Sequence, residues 1–168
     1  MAKTSAGILP YRRGPAGLQV LLIHPGGPFW AHKDLGAWSI AKGEVEQDER
    51  PEDGARREFT EETGFVATGP LIPLAPRRQP SGKTIHVWAV EGDYDPSALR
   101  SITFPLEWPK GSGRITQYPE ADRAAWFPID QARARILKGQ LPFLDELAQR
   151  LDTGYGPPDG GSEVVGRT

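Results

Sequence analysis

Apolar residues along this chain fall mostly into short runs and alternations, and helical spacing is confined to a few stretches. SAGILPY (residues 5–11) and LQVLLIHP (residues 18–25) read as strands joined at RRGPAG, where Gly14, Pro15 and Gly17 supply the turn chemistry. The unbroken run Leu21, Leu22, Ile23 suits a strand covered on both faces. GGPFWAHKDLG then reads as a loop, and AWSIAKGE predicts a short strand leading into ERPEDGARREFTEETG, which has the marks of a helix. Pro51 fits its first position, Glu52 and Asp53 fit its positive end, and Gly64 fits its close, while Arg50 makes a poor cap.

Downstream, FVATGPLIPLAPRRQPSGKTIHVWAVEGDYD predicts a strand, a PSGK turn and a second strand in which Ile85, Val87 and Ala89 alternate with His86, Trp88 and Val90. Residues 96–120 read as a long irregular connection, a kind of segment that in a compact domain is often functional. ADRAAWFPI predicts a late strand, and DQARARILKG a helix capped by its leading Asp130. LPFLDELAQRL predicts an amphipathic helix with Leu141, Leu144, Leu147 and Leu151 on one face. The order of elements predicts an α+β sandwich with a mixed sheet and not a doubly wound one. One domain is expected over residues 1–151, followed by a Gly/Pro-rich flexible tail over 152–168.

Composition narrows the chemistry. Twenty Lys and Arg against twenty-two Asp and Glu leave a formal charge of −2, so no general nucleic-acid or anionic-membrane binding is expected, and an anionic substrate must be met by local charges. The absence of cysteine removes disulfides, thiolate metal sites and a cysteine nucleophile. No window approaches the ~20 apolar residues of a membrane span, and the first residues lack a signal-like apolar run, so a soluble cytoplasmic protein is expected. GxGxxG and GxxxxGK[ST] are both missing, so phosphate chemistry needs another device.

That device is the acidic segment GEVEQDERPEDGARREFTEETGF, residues 43–65. At ~100° per residue Glu58, Glu61 and Glu62 share a helical arc of roughly 100°, a cluster of oxygen ligands suited to Mg2+ or Mn2+. A charge run of this kind is ordinarily a solvated face. The spacing sets this one apart, because Gly43, Glu49, Arg57, Glu58, Phe59, Glu61, Glu62, Gly64 and Phe65 match G-x5-E-x7-R-E-U-x-E-E-x-G-U in full, where U is a bulky apolar residue. This is the box of the Nudix hydrolases, which the chain resembles. WSIAKGE is similar to the W-x-x-P-K-G lead-in of many members, with Ala41 in the place of proline, and EADRAAWFPIDQA is similar to their late strand, so the likeness spans roughly residues 3–150.

The resemblance implies a Nudix-type α/β/α sandwich with a loop–helix–loop catalytic motif, and hydrolysis of a nucleoside diphosphate linked to another group. It implies Glu58 and Glu62 as metal ligands, Glu61 as a ligand or water-activating base, the Gly43 carbonyl as a further ligand, and Glu49 with Arg57 as a structural ion pair. Glu120 stands where some relatives place an additional base or ligand. Outside the box, Lys42 is a candidate phosphate contact, Phe29, Trp30 and Trp108 are candidates for stacking a nucleobase, and Arg77, Arg78, Lys83, Lys110 and Arg114 are candidates for holding phosphates. For any one aromatic the plainer reading is core packing, and for any one base, solvated surface. His24, His32 and His86 have no ligand spacing and read as packing or surface residues. The lead-in and compact size look closest to diadenosine-polyphosphate hydrolases. Nucleoside triphosphates, sugar nucleotides, RNA 5′-pyrophosphates and turnover-free nucleotide sensing are the alternatives.

Overall fold

The computed structural model describes residues 3–152, so the expected tail lies almost wholly outside the described residues. Its centre is β1 (Thr4–Gly14), whose first half pairs antiparallel with β3 (Ala41–Glu44) and whose second half pairs antiparallel with β2 (Gly17–Pro25). The turn between β1 and β2 closes at Gly14 opposite Gly17, and Gly17 takes φ 107°, a conformation that disfavours side chains. On its other edge β1 runs parallel to β6 (Thr84–Glu91), and β2 pairs with β9 (Ala121–Pro128), so the sheet is mixed as expected.

Helices cover both faces. α1 (Pro51–Thr63) lays Ala55 and Phe59 on Ala6, Ile8, Ile23, Ala41 and Val90. The opposite face, with Leu9, Val20, Leu22, Ile85, Val87 and Ala89, takes Ala132 of α2 (Ile129–Arg135) and Phe143, Leu144 and Leu147 of α3 (Leu141–Asp152). The result is the expected α/β/α sandwich. Among the described residues no helix is long and apolar enough to cross a membrane.

Three local expectations are corrected. The connection over residues 96–120 is not irregular: β7 (Thr103–Glu107) and β8 (Ile115–Pro119) form a separate antiparallel ribbon, in which Pro105 is tolerated because a two-stranded ribbon has free edges. The strand expected after Phe65 shrinks to β4 (Ile72–Pro73) and β5 (Arg77–Arg78), since the prolines of LIPLAPRRQP remove donors a longer ladder needs. Asp130 does not cap α2; Pro128 occupies the N-cap with no side-chain bond, and Asp130 sits in the first turn.

Candidate active site

The acidic helix α1 is set by local chemistry at both ends. Pro51 occupies the start of α1, Arg50 caps it without a side-chain bond, and Gly64 closes it in the left-handed region at φ 79° with its N–H donating to the Thr60 carbonyl. Ala55, Phe59 and Thr63, spaced one turn apart, are buried, which turns Glu58, Glu61 and Glu62 toward the edge where β3 ends. The preceding loop folds back on itself: Asp48 takes φ 68°, and the Glu46 N–H donates to Glu49 Oε1 at 2.9 Å. Gly54 leaves room for this, because a Cβ there would stand 3.0 Å from Glu49 Oε1.

Arg57 organises the acids. Its Nε and Nη2 grip Glu49 in a bidentate pair at 2.9 and 3.0 Å, Nη2 also donates to the Glu44 carbonyl at 3.0 Å, and Nη1 reaches Glu58 at 2.9 Å and Glu61 at 3.2 Å. Hydrogen bonds from Arg57, then the Glu46 N–H, hold the Glu49 carboxyl down at about 2. Burial pushes Glu58 up despite Arg57. Burial also drives Glu62 up to about 8, helped by the charges of Glu58 and then Glu120, against the pull of the Lys42 ammonium and N–H. Glu120, from the loop before β9, therefore adds its field to the cluster.

Gly43 completes the arrangement. It lies against α1 so closely that a Cβ would overlap the Glu58 carboxyl group, which explains why the backbone there carries no side chain. The donor set fits a hard divalent cation: carboxylates that raise one another's cost of ionisation are relieved by positive charge between them. Among the described residues the acids do not stand together as a ready-made group of three or more ligands, and Arg57 Nη1 engages Glu58 and Glu61.

The candidate substrate residues scatter. Lys42 lies beside Glu62. Lys83 and Lys3 both pair with the Glu44 side chain, at 3.1 and 3.6 Å, one residue from Gly43. Arg77 is not brought to the acids: it reaches Glu146 on α3, across the sheet, at 3.5 Å. Arg114 and Trp108 sit in the distal turn of the β7–β8 ribbon, where the Trp108 N–H donates to the Arg114 carbonyl. Trp30 is half-buried, edge-to-face with exposed Phe29 at 5.1 Å between ring centres, and their loop abuts Glu120 through a Gly26 N–H bond of 3.1 Å to its carbonyl. Sequence reading missed the contact of buried His24 with the accessible Asp122 at 2.9 Å; a polar ring ending the apolar run LLIHP was the only signal.

Solved structures share this fold over nearly their whole length. The Ap4A hydrolase of C. elegans, in a binary complex, is 17% identical with a TM-score of 0.61, covering 89% of this chain and 98% of that one. The NUDIX domain of Shewanella oneidensis NrtR, complexed with ADP ribose, is 18% identical with a TM-score of 0.62, covering 90% and 89%. The E. coli ORF135 protein is 22% identical with a TM-score of 0.53, covering 91% and 95%. No curated protein matches the chain in sequence. The family model of the NUDIX domain matches residues 1–147, and the chain accordingly belongs to the Nudix hydrolase family, enzymes that cleave phosphoric anhydride bonds.

Proposed function

We propose that the chain hydrolyses, with Mg2+ or Mn2+, a phosphoanhydride bond in a nucleoside diphosphate-linked substrate, foremost a dinucleoside polyphosphate such as diadenosine tetraphosphate. The observation that carries this is the packing of Glu58 against Gly43 while Arg57, pinned by Glu49, reaches both Glu58 and Glu61 on one edge of α1, with burial pushing the carboxyls of Glu58 and Glu62 up. Glu58, Glu62, Glu61 and the Gly43 carbonyl would hold the cation, which when bound neutralises phosphate oxygens and lowers the pKa of water.

The chain's own groups have distinct tasks. Arg57, pinned by Glu49, keeps Glu58 and Glu61 on one side of the helix. Glu61 is the more exposed of those two, its side chain 37% accessible against 14% for Glu58, and it is assigned to take the proton from the attacking water. Lys42 beside Glu62 is placed to meet a phosphate oxygen. The Phe29–Trp30 loop, anchored at Glu120, is the nearer of the two aromatic candidates for the base.

The dinucleoside reading draws support from the lead-in WSIAKGE and from the fold shared with the C. elegans enzyme. A panel of diadenosine tetraphosphate, nucleoside triphosphates, sugar nucleotides, ADP ribose and 5′-triphosphorylated RNA, assayed with each metal and with products weighed by mass spectrometry, tests it. Highest kcat/KM on the dinucleotide is the expected result. A higher value on another class replaces the substrate, and tight binding without turnover would make the domain a sensor.

A further inference from the structure

One polar cluster around a buried histidine takes no part in the carboxylate chemistry. His24, near the end of β2, is fully buried, and its ring meets Trp38 edge-on at 5.1 Å. Nδ1 lies 2.9 Å from Asp122 Oδ1, and Nε2 lies 2.6 Å from the Lys33 carbonyl oxygen. A carboxylate and a carbonyl only accept, so a neutral imidazole satisfies one neighbour and turns a lone pair on the other. The shorter contact, to the Lys33 carbonyl, needs the proton on Nε2. The charged groups around it are Asp122, Arg123 with Nε 3.8 Å from Asp122 and its guanidinium over Trp38, and Asp34, which accepts from the Trp38 indole and pairs with Arg135.

This cluster is a strut between β9 and the loop of residues 26–36. The start of that loop is fixed beside Glu120 by the Gly26 N–H, and a Cβ on Gly26 would collide with the Pro119 carbonyl. Its far part is fixed by His24 through the Lys33 carbonyl. In between, the Lys33 ammonium lies 4.4 Å from the centre of the Phe29 ring and 5.9 Å from that of Trp30, while Phe29 stays 59% exposed. Two aromatic rings are thus presented to solvent on a loop tied down at both ends, next to a residue that acts on the metal-binding carboxylates.

We propose that His24, held between Asp122 and the Lys33 carbonyl, is the positioning residue that fixes Phe29 and Trp30 as the stacking surface for the substrate's nucleobase. The inference rests on the nucleotide reading of the site. A loop released from the strut keeps its rings but loses their placement, so binding of the base suffers and the chemical step does not.

Histidine 15N NMR of the full chain reads the ring directly, with no need of activity, and is expected to show a hydrogen-bonded proton on Nε2, the nitrogen that faces the Lys33 carbonyl. Kinetics on the best nucleotide of the panel then separate placement from chemistry. His24→Gln is expected to raise KM about tenfold, the scale of one lost base–aromatic contact, with kcat within about twofold of wild type. In a Phe29→Ala, Trp30→Ala background the same substitution is expected to add nothing further. Asp122→Ala, which removes the acceptor at an accessible position, is expected to raise KM in the same direction, and it decides the matter where His24→Gln fails to fold. An Nε2 of His24 without a proton, an unchanged KM in a folded variant, or a KM rise that multiplies that of the Phe29→Ala, Trp30→Ala background overturns the proposal. A wild-type chain that turns over no nucleotide takes down the substrate reading and the stacking role together, while the ring spectrum still reports the strut.

Discussion

Arg57 shows how one side chain governs a site. Its bidentate grip on Glu49 follows from a spacing already visible in the sequence, but the same guanidinium also spans Glu58, Glu61 and the Glu44 carbonyl, which only the folded loop reveals. Glu49 ordinarily titrates at 4.5 and is held at about 2, so its contribution to stability is present above pH 4.5 and is lost as pH falls through 2. Glu49→Gln should therefore cost roughly 1–2 kcal/mol in urea unfolding at pH 7, a gap that narrows as pH drops toward 2. A gap that stays constant across that range would show the pair to be electrostatically idle. Within the box the positions of these acids and of Arg57 were legible because they recur at fixed spacing. Glu120 and the His24–Asp122 pair were harder, since 98 residues separate the latter and neither residue alone distinguishes a buried hydrogen bond from ordinary surface.

At the scale of elements, the parts governed by local backbone chemistry were readable, and the parts governed by pairing were not. α1 begins and ends where Pro51 and Gly64 require, because each constrains its own φ. The β7–β8 ribbon escaped notice because Pro105 and the PKGSG turn resemble a loop, and only the partner strand shows that a ladder forms. The ribbon also separates the two tryptophans assigned to base binding. Trp108 lies one residue beyond the Glu107–Ile115 pair, itself four pairs from Pro119, and so roughly 20 Å along the ribbon from Glu120, whereas the Trp30 loop is bonded to Glu120 at Gly26. Trp30→Ala should raise KM for the best nucleotide roughly tenfold with a smaller fall in kcat, and Trp108→Ala should leave both within about twofold. The reverse ranking in steady-state kinetics would move the base to the ribbon.

The whole molecule divides its labour by face. α2 and α3 bury one side of the sheet in a largely apolar core, while on the other side α1 holds Phe59 inward and its acids at the edge beside Gly43. The unbroken apolar run of β2 and the alternation in β6 were enough to anticipate this two-faced sheet, but not which basic residues would share a face with the acids; Arg77 crosses to α3 and Lys83 stays beside Glu44. The central claim is that the edge cluster of Glu58, Glu61 and Glu62 holds a divalent cation and performs anhydride hydrolysis. Glu62→Gln tests it most directly, because the amide keeps the shape of a side chain that already favours its neutral form in this site. Turnover of the best anhydride substrate and Mn2+ affinity are to be measured on the same folded sample. The expected result is an unchanged thermal midpoint, Mn2+ affinity reduced at least tenfold and turnover reduced at least a hundredfold, a loss of about 2.7 kcal/mol or more in transition-state stabilisation. Wild-type turnover with undiminished Mn2+ affinity in that variant would contradict it.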